Sequence, residues 1–219
     1  LLLNLDGTEH RRLRALVAKA FSPRAAERMR SACTDVITEL VDRCAAAGRC
    51  DFVADIARPY PIPIICSLLG APRQDWEQLS EWVVGVGKAM SIEVAQNESE
   101  ILRAWDGLED YVEQLITVRR REPADDLLSE LLRAEEDGDR LSHDELVALV
   151  VILFNAGTDT TRHQLAAAVQ VLVDHPDQWE MLSRCPDLVP QAVEEVLRHS
   201  PVNLRVLRKT IVDVELGGV

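Results

Sequence analysis

Apolar residues recur at helical spacing over most of the chain, so the pattern predicts a mainly α fold. GTEHRRLRALVAKAF, residues 7–21, reads as a first helix with Thr8 as its cap. Ser22 followed by Pro23 opens a second, running to about Ala47 and stopped by Gly48. Residues Ala57 to Leu69 form a short apolar helix entered through PYPIP and ended by Gly70. Pro72 starts another, through WEQLSEWVVGVGKAM. An amphipathic helix follows from about Glu98 to Arg121, then a short one from Asp125 to Glu136. EEDGDR is a turn. Ser142 to Glu145 form a capping box. The helix it opens runs to about Asp174, where His175-Pro176 stops it. At about 1.5 Å per residue it is roughly 50 Å long. LVALVVILF, residues 146–154, makes its first half apolar all round, which predicts burial on all sides. Short helices follow over Trp179 to Arg184 and from Pro190 to about His199. The tail, RVLRKTIVDVELGG, alternates as strand, turn, strand. With no repeat and no clear linker, residues 1–219 read as one domain.

One stretch breaks the pattern. NAGTDTTRH, residues 155–163, places an amide, a glycine, an acid and three threonines in the middle of the longest apolar helix. A buried carboxylate costs several kcal/mol unless it is paired. Ala156 and Thr160 are four apart and share a face. Ala156 and Gly157 remove bulk, so something flat and large could lie against the backbone. Thr160 can bond back to the carbonyl of residue 156 and open the helix into a groove. Asp159 beside it could pass protons. The competing reading is a kink solvated by buried water, with Asp159 at an interface. Two further pairs share a helix face. Glu195 and Arg198, in EEVLRHSP, are either a functional pair or a surface ion pair worth under about 1 kcal/mol. His10 and Arg14, in EHRRLR, could grip an anionic group or form a solvated basic face.

Composition narrows the field. The chain has 219 residues, 47% of them apolar, enough for a sizeable core. A net charge of −13 argues against nucleic acid as a partner, despite basic runs at residues 10–14 and 119–121. The five cysteines are odd in number and lack CxxC spacing, as expected for reduced thiols in a cytoplasmic protein. No apolar run suggests a membrane span and no signal peptide is evident, so a membrane is not expected as a partner. The chain begins at Leu1 without Met and ends in a strand-like pattern, so both ends read as cut.

Taken together and in order, EHRRLR, AGTDTT on a long buried helix, and EEVLRHSPV followed by an arginine-bearing strand resemble the cytochrome P-450 family, the haem-thiolate monooxygenases. PRAAERMR and HPDQWEML give the similarity a bacterial, soluble character. The resemblance implies haem as cofactor, with His10, Arg14 and Arg208 on its propionates and Ala156 and Gly157 against its distal face. It implies that Asp159 and Thr160 are the acid–alcohol pair governing proton delivery to the oxygen site. Ile152, Asn155 and the segment from Val202 through Leu204 to Val206 would face a hydrophobic small-molecule substrate. Asn155 replaces a more usual apolar residue, which points to a polar substrate contact. Glu195 and Arg198 would be structural. Dioxygen and a ferredoxin-type electron donor are the implied partners, with Arg11 and Arg12 on a basic docking face. The family's iron ligand is a cysteine in a glycine-rich loop after the ExxR helix, and no cysteine here matches it. The sequence therefore reads as a central fragment of such a fold. The function expected of its parent is insertion of one oxygen atom into an apolar molecule. The alternative is a truncated, non-catalytic helical protein, its large apolar surface exposed.

Overall fold

The computed structural model describes all residues except 1–4, 19, 20, 92, 137–140, 206–209, 211, 216, 217 and 219, and except the side chains of Met90 and Glu136. It separates into two compact units, residues 1–166 and 167–219, where the sequence pattern predicts one domain. The reason lies in the core. The large apolar cluster runs from Leu13 to Phe154, whereas Val196 alone is buried in the second unit among the described residues.

The first unit holds α1 (Gly7–Ala18), α2 (Pro23–Arg28), α3 (Arg30–Ala45), α4 (Pro61–Leu69), α5 (Trp76–Gly87), α6 (Glu98–Arg121), α7 (Leu127–Glu136) and most of α8 (His143–Asp174). Ser22 caps α2 as predicted, its Oγ accepting from Ala25 N. The single helix predicted from Pro23 is instead broken at Met29, whose backbone N–H bonds to Ala26 and Glu27 carbonyls. Residues 52–56, which the pattern left unassigned, form a π-helical segment together with Ala57, the predicted start of the next helix. Asp51 caps it, accepting from Val53 N and Ala54 N at 3.0 Å. Phe52–Leu69 has the length and composition of a membrane span, which the sequence reading did not single out. A break at residues 58–60 interrupts it, and Ile62, Ile65, Cys66 and Leu69 are buried in the main core.

Small residues set how closely the helices approach. A Cβ on Gly85 of α5 would lie 2.5 Å from the Ala104 Cβ of α6. A Cβ on Gly107 of α6 would lie 2.5 Å from Trp82 Nε1 of α5. These two glycines let α5 and α6 form the most extensive helix pair in the unit. α7 starts two residues later than predicted because Asp126 is used as a cap. Its Oδ1 accepts from Ser129 N at 2.8 Å. Its Oδ2 accepts from Arg119 Nε at 2.5 Å, and Arg119 also donates to Gly70 O at 2.7 Å.

The capping box of α8 is present in both directions. Glu145 N donates to Ser142 Oγ at 3.2 Å and Ser142 N to Glu145 Oε2 at 2.9 Å. Glu145 also receives Arg12 of α1, which bonds Glu9 as well. Arg12 is therefore committed within the fold, which removes it from the expected basic docking face. Arg11 stays exposed, donating to Thr8 Oγ1 at 3.3 Å. The apolar half of α8 is buried at Leu146, Val147, Leu149, Val150, Val151, Leu153 and Phe154, close to the prediction.

The second unit holds the end of α8, α9 (Pro176–Arg184) and α10 (Val189–His199). Pro176 begins α9 three residues before the predicted start, as proline does at a first helical position. Among the described residues of the tail there is no strand. Much of the predicted strand–turn–strand falls on residues outside those described.

Candidate functional site

α8 stays a continuous α-helix through NAGTDTTRH. The predicted opening does not occur. Three hydroxyls bond back to the carbonyls four residues earlier: Thr158 to Phe154 at 2.7 Å, Thr160 to Ala156 at 3.2 Å and Thr161 to Gly157 at 3.4 Å. Each is satisfied by a carbonyl's second lone pair, so the ladder need not break.

The helix presents three different faces here. Ile152, Ala156, Thr160 and His163 fall within an arc of roughly 80° at 100° per residue. Ala156, Thr160 and His163 are exposed and Ile152 is half-buried, so this face is open. Gly157 points elsewhere: a Cβ there would meet Ile65 Cδ1 of α4 at 2.9 Å. Its missing side chain serves the α4–α8 contact, whereas the sequence reading put it beside Ala156 on one surface. The third face carries Asn155 and Asp159 toward α5. Asn155 Nδ2 donates to Val83 O at 3.3 Å. A Cβ on Gly87 would lie 3.8 Å from Asp159 Oδ1 and 3.9 Å from Asn155 Nδ2. The Asn155 amide expected to meet substrate is thus engaged with the α5 backbone.

Asp159 is also paired along its own helix. Arg162 Nη2 contacts its Oδ1, and His163 Nδ1 lies 3.7 Å from its Oδ2. Sequence reasoning passed over both partners, although their i+3 and i+4 spacing from Asp159 was a readable signal.

On α1, His10 is half-buried and Arg14 exposed, on the side of the helix opposite Arg12. Among the described residues neither side chain makes a hydrogen bond or ion pair. In the second unit, Arg198 forms a two-bond fork on Glu195, at 2.7 and 2.6 Å, with both side chains mostly exposed. That pair holds the Glu195 carboxyl below its usual range. Val202 and Leu204 are exposed in the same unit. Val206 and Arg208 lie outside the described residues.

Two of the cysteines are held toward the thiol form. Cys66 is fully buried, and burial pushes its thiol up to about 12. Burial also raises Cys44. Cys33 is half-buried, and Cys50 and Cys185 are exposed. Among the described residues no cluster of three His, Cys, Asp or Glu side chains could hold a metal ion.

The sequence model of the cytochrome P450 family matches residues 1–184. Nocardicin C N-oxygenase of Nocardia uniformis subsp. tsuyamanensis is 37% identical over 221 residues, covering 100% of this chain and 54% of that protein. Mycinamicin IV hydroxylase/epoxidase of Micromonospora griseorubida is 39% identical over 221 residues, covering 100% and 55%. The crystal structure of CalO2 superposes with a TM-score of 0.95 at 36% identity, over 100% of this chain and 55% of its own. The chain spans about half the length of the curated relatives it matches.

Proposed function

The chain belongs to the cytochrome P450 family, and on that premise we propose that the protein carrying it is a haem monooxygenase acting on a hydrophobic small molecule. The observation that carries this reading is the open face of α8. Ala156 and Thr160 leave a shallow, uncharged surface beside the one acid of the helix centre. A flat macrocycle fits such a surface, and the His10 and Arg14 side chains, which pair with no described residue, are suited to its carboxylates by charge-assisted bonds. Gly157 supports the same surface from behind by letting α8 seat on α4.

Haem, when bound, supplies the redox chemistry that activates dioxygen and leaves one oxygen atom in the substrate. The chain's own residues have simpler tasks. Thr160 holds a hydroxyl on the open face, able to donate once it leaves the Ala156 carbonyl. Asp159 stands beside it as the proton source. Ile152 supplies apolar contact to substrate. Asn155 acts indirectly, fixing α5 against α8. Glu195–Arg198 is structural. The cysteine that would ligate the iron is assigned to none of the five here, since burial disfavours the thiolate of Cys66 and Cys44 and no cysteine has a glycine-rich context. Electrons come from a ferredoxin-type donor, and the working compartment is the cytoplasm.

The cofactor assignment is tested by haem retention. In the full-length protein, replacing His10 and Arg14 together by Gln is expected to lower the haem retained per polypeptide after gel filtration. Unchanged retention would contradict the propionate role. Thr160→Ala is expected to leave haem content intact while cutting product per dioxygen consumed by an order of magnitude.

A further inference from the structure

Asp159 is held from several sides at once. Arg162 Nη2 contacts Oδ1, and the Arg162 side chain is only 17% exposed. Oδ1 has no solvent access and makes no well-directed hydrogen bond, so the contact with Arg162 acts through charge. The backbone of α5 closes the same edge, with a Cβ on Gly87 falling 3.8 Å from Oδ1. Oδ2 is left toward His163, 3.7 Å away, whose side chain is 58% exposed. A short aspartate side chain otherwise swings between staggered rotamers, and an unpaired carboxylate at a buried edge is costly. Something must choose its direction, because Asp159 and Thr160 leave the helix about 100° apart.

We infer that Arg162 is a positioning residue for Asp159, holding one carboxylate oxygen against α5 and leaving the other directed at His163 and the open face of α8. The inference rests on the reading of Asp159 as the proton-delivering acid. Arg162 touches no substrate or cofactor in this role and acts only through the carboxylate. A lysine there would restore the charge without the planar fork, so it should recover much of the direction.

The test uses the full-length haem-loaded protein and reads product per dioxygen consumed at unchanged haem content. That yield should fall several-fold in Arg162→Gln and recover in Arg162→Lys. In the Asp159→Asn background no carboxylate is left to direct, so adding Arg162→Gln should cause no further fall. A further several-fold fall there, or an undiminished yield in Arg162→Gln alone, overturns the positioning role. Undiminished yield in Asp159→Asn itself overturns the reading of Asp159, whatever the Arg162 variants show.

Discussion

At the residue scale, the molecule uses small side chains for two distinct purposes. Ala156 keeps one face of α8 open, while Gly157 lets α8 approach α4. From the sequence the two were one feature, because neighbours at the centre of a helix look alike until the packing partner is known. Asp159 was legible as an anomaly, and its pairing was legible in principle from the spacing to Arg162 and His163. The bond of Asn155 was not legible for a plain reason: its partner is a backbone carbonyl 72 positions earlier, and no local pattern shows that. Gly157→Val should clash with Ile65 and cost about 1–3 kcal/mol, as overpacking typically does. Urea unfolding of the variant would measure it; an unchanged midpoint would show that Ile65 yields freely.

At the scale of elements, helix positions were largely readable because the main core is built from periodic apolar stripes. Boundaries failed where a side chain or backbone group made a non-local bond. α7 starts late because Asp126 caps it and receives Arg119 from α6. The break at Met29 and the π-helical segment at Phe52 have no clear periodic signature. α6, α7 and the start of α8 meet at His143. Its Nε2 lies 2.8 Å from Glu113 and its Nδ1 3.2 Å from Glu135, and Arg120 bonds Glu135 at 2.7 Å. The hydrogen bond to Glu113 raises the His143 pKa above its usual 6.5. A raised folded-state pKa stabilises the fold fully below the unfolded value and loses that contribution as pH rises through the folded one. Stability measured by denaturant should therefore fall from pH 6.5 upward through that window. His143→Gln should flatten the slope, and an unaltered slope would assign it to another group. Arg12→Gln should weaken the α1–α8 tie. Amide exchange in α1 should then quicken relative to α6, and equal protection in both variants would contradict the tie.

At the scale of the whole molecule, the two units differ in how much they bury. The first has an extensive core; the second leaves Val189, Val193 and Leu197 exposed along one side of α10. Apolar stripes of this kind on a helix are normally covered. A polypeptide of residues 1–219 alone is expected to self-associate with rising concentration, and Val193→Asp to reduce this in sedimentation experiments. A monomer at all concentrations would show that the stripe is tolerated in water. The family itself was legible from three weak motifs in one order, although each alone was better explained as ordinary helix chemistry. The division into two units has no signature in the sequence pattern, because residue periodicity says little about where buried contacts stop.

The central proposal is that this chain belongs to a protein that transfers one atom of dioxygen to an apolar substrate. The most direct measurement supplies the full-length protein with a ferredoxin-type donor, a panel of hydrophobic small molecules and isotopically labelled dioxygen. The account expects a product carrying one labelled oxygen atom, formed in lower yield by Asp159→Asn and Thr160→Ala. Products without label, or none from any member of the panel despite full haem content, would contradict it.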